Sequence, residues 1–173
     1  MKQAFIHATI WTAAGPEVRD GTLIIEKDKN VAFGTEIDTN GMTTVDSEGR
    51  YLLPGFVDPH THTGVWGEGA RDDYDGNEIS EAITPYARAL DAIYPEDIGF
   101  ADSRRGGVTS VVISHGSDNP FGGQLSVAKT YGMVADRMVI KEPAGLKMAL
   151  GENPKRVGEH FKRAPSSRMG VAY

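Results

Sequence analysis

An apolar run, Leu52-Leu53-Pro54-Gly55-Phe56-Val57, breaks off at Asp58 into Pro59-His60-Thr61-His62-Thr63-Gly64, and no other stretch constrains the chain as tightly. A short apolar run that ends in polar and small residues reads as a buried strand opening into a functional loop. Side chains at i and i+2 of a strand point the same way, so His-X-His at a strand end aims two imidazoles at one point. Two neutral imidazoles at about 2 Å from a cation make half of a typical zinc site. The plainer alternative is two loop histidines that merely lie close together. The strand before them and the Gly-rich stretch 64–77 after them favour the metal.

Composition narrows the chemistry further. The 173 residues include no cysteine, so disulfides, thiolate nucleophiles and Cys-type zinc sites are excluded. Any metal must be held by His, carboxylate or a modified Lys. The lack of cysteine also fits a reducing cytoplasm, the expected location. With 39% hydrophobic and 24% charged residues the chain reads as globular. A net charge of -6 argues against nucleic acid or an anionic membrane as partner. Lys155, Arg156, Lys162 and Arg163 form a loose basic group that reads as a solvated helix face. No stretch has the apolar length of a signal peptide or a membrane span. No Ser-His-Asp arrangement, phosphate-binding Gly loop or dinucleotide fingerprint is present.

On either side of the motif the pattern differs. Residues 4–11, 22–26, 31–34 and 43–46 are strand-like, separated by Gly15-Pro16 and by turn signals at 27–30 and 46–49. They predict a small antiparallel β unit with little area for a core of its own. Beyond the Gly-rich loop, 79–105 predicts helix, with Ala82, Ile83, Ala87, Leu90 and Ile93 buried and with Pro85 and Pro95 dividing it. Gly106-Gly107 ends that segment. Val108-Thr109-Ser110-Val111-Val112-Ile113-Ser114 is apolar on both faces, as a covered parallel strand should be. Strand, helix and strand make a βαβ unit. Weaker apolar runs follow at 125–130 and 138–140, with a further candidate strand at 145–150 and a helix over 154–163. Pro165-Ser166-Ser167 starts another helix, with Ser as its cap, and its body is expected in a longer chain.

Leu53-Pro54-Gly55-Phe56-Val57-Asp58-Pro59-His60-Thr61-His62 resembles the first-strand motif of the amidohydrolase superfamily, which includes dihydroorotase, adenine deaminase and imidazolonepropionase with its dipeptidase-like relatives. The preceding β unit is similar to the N-terminal part of the family's small β-sandwich. Gly106-Gly107-Val108-Thr109-Ser110-Val111 is similar to its second barrel strand. The segment 145–156 looks most like the imidazolonepropionase-related branch. The resemblance implies an α/β fold: a β-sandwich segment over 1–53, then the first part of a metal-dependent (β/α)8 barrel over 54–173. A complete barrel takes about 250 residues, so roughly 120 make half of one at most. Its open edges would need the rest of a longer chain, a partner chain or self-association to cover them.

By matching position, His60 and His62 take the family's paired-ligand role for one or two divalent ions, zinc foremost. For the ligand from a middle strand two candidates stay open. Lys147 lies in an apolar strand, where a Lys is easily made neutral as carboxylation requires. Glu152 lies just past the strand end and could bind directly. Their plainer readings are a structural Lys and a Glu favoured at a helix start. Asp58 is a candidate to orient one imidazole from behind. His115 follows a strand, near Ser117, Asp118 and Asn119, and reads as a substrate contact or as a loop-packing histidine. Gly122-Gly123 would let backbone amides approach a substrate. His7 and His160 are not expected to act. The family's later His pair and its proton-handling Asp have no counterpart here. The implied activity is therefore hydrolysis of a C–N bond in a small molecule (a cyclic amide, an N-acyl amino acid or a dipeptide), with this chain inactive alone. Competing expectations are a non-catalytic metal-binding or interaction module, and one subunit of a split hydrolase.

Overall fold

A computed structural model of the chain describes residues 2–68 and 76–172. Of the loop expected over 64–77, positions 69–75 lie outside the described residues. The chain divides into two compact units, Met1–Pro54 and Gly55–Tyr173.

The first unit is one sheet built from β1 (Lys2–Ile10), β2 (Val18–Glu26), β3 (Lys29–Gly34), β4 (Thr43–Asp46) and β5 (Tyr51–Leu52). The order is β3-β2-β1-β4, with β5 also pairing β1. Lys27 and Asp28 close the hairpin between β2 and β3, Lys27 with a φ of 58°. The sheet is mixed and not antiparallel throughout, because β4 and β5 run parallel to β1. The link 35–42 carries the chain from the β3 edge to the far edge of β1, and a crossover, unlike a hairpin, delivers a parallel strand. Only small or aliphatic side chains are buried here, chiefly Ala4, Ala8, Ile10 and Ile24, as the short strands foretold. Where β1 and β2 slip register, His7 and Asp20 take left-handed backbone, and His7 Nδ1 meets Asp20 Oδ1 at 2.9 Å.

The second unit holds β6 (Phe56–Thr61), a 3-10 turn (Ala89–Ala92), α1 (Ile98–Arg105), β7 (Val108–Ile113), β8 (Phe121–Lys129), α2 (Ala135–Met138), β9 (Val139–Met148), α3 (Glu152–His160) and α4 (Arg168–Ala172). Its sheet runs β6-β7-β8-β9. Strands β6 and β7 are parallel with α1 between them, which is the βαβ unit expected. Strands β7 and β8, then β8 and β9, are antiparallel. Positions 114–120 are too few for a covering crossover helix, so the chain turns back as a hairpin. The architecture is thus mixed α/β with strands predominating.

The long helix expected over 79–105 is a correction. Only its last third is α-helical, and 83–88 instead runs beside β8, with isolated bridges from Ile83 to Phe121 and from Arg88 to Gln124. Pro85 has no N–H to give a helix, and Pro95 disfavours helix just before it. Ile83 is accordingly exposed, while Ile93 is buried as expected. The core gathers Val65, Ala89, Ile93, Phe100, Val111, Ile113, Ala128 and Met138. Ser167 caps α4 through its hydroxyl, which accepts the Gly170 N–H. No described helix is long and apolar enough to cross a membrane.

Candidate metal centre

The two histidines of the motif converge. Their ring centroids are 5.2 Å apart and their planes nearly perpendicular, at 85°. Two imidazoles on one tetrahedral ion, each nitrogen at about 2 Å, would hold their centroids roughly 5 Å apart. The centroid spacing of the pair matches that distance.

Ser114 holds the tip of β6 in place. Its N–H donates to the Thr61 carbonyl at 2.9 Å, continuing the parallel ladder past β7. Its carbonyl lies 2.8 Å from His62 Nδ1. A carbonyl can only accept, so the Nδ1 of a neutral His62 carries the proton and Nε2 keeps its lone pair for a ligand. Such a bond to the second ring nitrogen is the usual support of a metal-binding histidine. Asp58 acts on the backbone: its Oδ1 accepts the His60 N–H at 2.9 Å. The bond secures the strand end, and the carboxylate also acts on the His60 ring through its charge.

Topology brings Lys147 to the same end. Strand β8 reverses β7 and β9 reverses β8, so β9 again runs in the direction of β6. Its last residue, Met148, pairs with Phe121 at the start of β8, on the side where β6 and β7 end. The Lys147 ammonium is the foremost influence holding the His60 imidazole below its ordinary pKa, ahead of burial and of the His62 ring. Burial in turn lowers Lys147 itself. Gly122 on β8 faces the lysine stem, and a Cβ there would lie 3.4 Å from Lys147 Cβ and Cγ, an ordinary contact. Glu152 is not brought to the pair. It heads α3, half exposed, and its carboxylate meets Lys155 and Arg156 of its own helix at 3.4 Å each. Those two cations lower its pKa.

His115 sits just past β7, only 6% exposed. Burial pushes its pKa down, and His62 and Lys147 push the same way. Its Nε2 is buried with no hydrogen-bond partner among the described residues. The ring fits because residue 123 is glycine: a Cβ there would lie 2.1 Å from His115 Nε2. Asn119 secures the neighbouring loop by donating to the Glu78 and Glu81 carbonyls at 2.6 and 2.8 Å. Asp118 is part-buried, which raises its pKa, and its N–H donates to Asn77 Oδ1. Ser117 accepts from Asn153 at 2.7 Å. Among the described residues no set of three His, Cys, Asp or Glu side chains is placed to hold an ion. What the chain brings together at this end is a pair of imidazoles and a lysine whose charge acts on one of them.

Three residues here escaped the sequence reading. Asp97, nine-tenths and more buried, caps α1 and also accepts the Gly64 N–H. Trp66 stacks on His62, with centroids 4.4 Å apart and planes at 20°. Ser114 acts through its carbonyl, which every residue type possesses. For Asp97 a signal was available, an acid immediately before a helical segment. For Trp66 it was the spacing of four from His62 across a glycine.

A solved amidohydrolase from Thermotoga maritima MSB8 superposes on 98% of this chain with a TM-score of 0.93 and 42% identity. The chain belongs to the amidohydrolase superfamily, to its N-terminal portion. The match takes up 44% of the Thermotoga chain. A protein of Hapsidospora irregularis named amidohydrolase tasK is 39% identical over 140 residues, 74% of this chain and 14% of that relative. D-hydantoinase of Geobacillus stearothermophilus is 31% identical over 85 residues, 48% of this chain and 18% of the relative. This amidohydrolase chain thus spans less than a fifth of the length of either of these curated relatives. No family model matches it.

Proposed function

We propose that this chain supplies the first metal-binding strands of a hydrolase that cleaves a C–N bond in a small molecule: a cyclic amide, an N-acyl amino acid or a dipeptide. The observation that carries the reading is the His60–His62 pair, edge to face at 5.2 Å, with Nδ1 of His62 already committed to Ser114. His60 and His62 would hold a divalent ion, zinc foremost, and Lys147, free or carboxylated, is the candidate third ligand. When bound, such an ion polarises a carbonyl and makes a bound water acidic enough to attack near neutral pH. The chain's own residues prepare the place. Ser114 fixes the His62 tautomer, Asp58 holds the His60 backbone, and the Lys147 ammonium, before any carboxylation, favours the neutral form of His60. His115 is placed as a substrate contact or as packing beneath the loop. The β-sandwich reading of 1–53, the half-barrel reading of 54–173 and the imidazolonepropionase-related branch are parts of the same proposal.

The proton-handling Asp that the family places late in the barrel has no counterpart in this chain, so the chain is expected to bind metal without turnover. Zinc content of the purified chain, of His60→Ala and of His62→Ala tests the first part. Equal zinc in all three would end the metal reading. Hydrolase turnover by the wild-type chain that disappears in His60→Ala would end the inactivity reading.

A second reading, completion by a further polypeptide or segment, is favoured by the outermost strands of the second sheet. Phe56 and Val57 on β6 and Ile140 and Leu146 on β9 are exposed. Unpaired edges with apolar side chains invite another strand. Co-purification of a chain bearing a His pair and an Asp would support it; a stable monomer with no partner at micromolar concentration would count against it.

A further inference from the structure

We infer that Trp66 is a positioning residue for His62, setting the plane in which the imidazole presents Nε2. The consequence for metal affinity rests on the reading of His62 as a ligand, whereas the positioning itself does not.

The placement begins in the backbone. The His62 carbonyl accepts the N–H groups of both Val65 and Trp66, each at 3.0 Å, so the chain turns sharply after the motif. Gly64 makes the turn possible with a φ of 83°. Four residues on, the indole therefore returns over the ring it follows. The planes are 20° apart at a centroid distance of 4.4 Å, a stacked arrangement that aromatic rings favour.

A hydrogen bond and a stack restrain different motions. The bond from Nδ1 to Ser114 fixes where one corner of the imidazole lies, but the ring can still rock about the N–H···O line. A flat indole against its face removes that freedom. Together they define the direction of Nε2, which neither does alone.

The pyrrole edge of the indole is packed against Gly76. A Cβ on Gly76 would lie 1.2 Å from Trp66 Nε1, so the indole fills the space that any other residue at 76 would need. The Gly76 carbonyl accepts the Gly116 N–H at 2.7 Å. Ser114 and Gly116 belong to the same loop after β7. The carbonyl that holds His62 and the backbone that packs on the indole edge are thus both tied to that one loop. Trp66 is 41% exposed, too much for a residue whose task is to fill a core. Its planar face lies on His62.

The test uses the whole chain with 13C- and 15N-labelled histidine, free of metal, at a pH well above the ordinary imidazole value. Carbon relaxation at the His62 ring CH groups reports how far the imidazole rocks. Wild type is expected to show a ring as rigid as the backbone that carries it. Trp66→Leu, apolar but not planar, keeps the Ser114 bond and should let the ring rock, lowering its order parameter. Trp66→Phe, which keeps a flat face, should restore much of the rigidity. A ring as rigid in folded Trp66→Leu as in wild type would overturn the inference, as would a loss in Trp66→Phe as complete as in Trp66→Leu. Zinc titration of the same proteins then separates the two readings. Outer partners of a ligating histidine usually matter by about tenfold or more in affinity. A loss of that size in Trp66→Leu, recovered in Trp66→Phe, is expected. If wild type takes up no zinc through His60 and His62, the metal reading fails and the ring-relaxation result still decides the role of Trp66. If zinc binds Trp66→Leu as tightly as wild type, positioning fails and the metal reading stands.

Discussion

Asp97 Oδ2 accepts the backbone N–H of Gly64 at 2.7 Å, joining the cap of α1 to the turn that follows His62. Its other oxygen accepts the Gly99 N–H at 2.8 Å as the helix cap. One buried carboxylate thus serves a helix start and a ligand-bearing turn at once. Hydrogen bonds to a charged group contribute about 1.5–3 kcal/mol each, less than additively when they share an acceptor. Asp97→Ala is expected to lower unfolding stability by roughly 2–4 kcal/mol in urea titrations. A loss under about 0.5 kcal/mol would show that the two bonds contribute nothing net.

Gly64 makes the same connection from the other side. Its φ of 83° suits glycine, and a Cβ would lie 2.7 Å from Phe100 Cζ in the core. Left-handed backbone and overpacking each cost about 1–3 kcal/mol for a larger residue. Gly64→Ala should therefore destabilise the chain by about 2 kcal/mol or more and weaken the Trp66 fluorescence signature of the stack. An unaltered melting curve and emission spectrum would contradict the role given to this turn.

Lys147 and His60 are coupled through space, and the coupling has a sign. The ammonium is the largest influence lowering the His60 pKa. Lys147→Met removes that charge and keeps much of the stem's bulk. The His60 pKa, followed by proton NMR in metal-free protein, should rise toward its ordinary value. An unchanged or lower value would show that the two side chains do not meet in solution.

Acid should loosen the second unit. His115 is buried and its pKa is lowered, so below the unfolded imidazole pKa of about 6.5 the unfolded chain binds more protons than the folded one. His60 acts in the same sense. Stability is then complete above that pH and falls as pH drops through it toward the folded values. Melting temperatures from pH 8 down to pH 5.5 (about one unit below the reference value) should decline. His115→Gln, lacking the titrating ring, should decline less. A parallel decline in both proteins would remove His115 as a cause.

Much of the candidate site could be read in the sequence because its signal is local. Pro59-His60-Thr61-His62 at the end of an apolar strand needs only the alternation of side chains to bring two rings together, and the structure places them so. Residues 108–114 were equally legible, since a strand apolar on both faces has few other fates. The segment 79–105 was not, because its apolar residues recur at helical spacing while Pro85 and Pro95 forbid the helix, and tertiary pairing with β8 decided between them. Contacts made by backbone atoms were invisible: the carbonyl of Ser114 and the N–H of Gly64 carry no side-chain signature. Glu152 was legible as a Glu at a helix start, and α3 begins there; its spacing of three and four to Lys155 and Arg156 was the signal for the pairs it makes.

The hairpins of the second sheet also set a rule of parity. Lys147 shares a rim with His60 because the chain reverses twice, an even number of times, between β7 and β9. The links at 114–120 and 130–138 could lengthen or shorten in other members of the lineage without disturbing that shared rim. Loss or gain of a single reversal would carry the lysine to the opposite rim, a sheet's full depth from the imidazoles. Variation in this part of the molecule is thus free in length and bound in strand number.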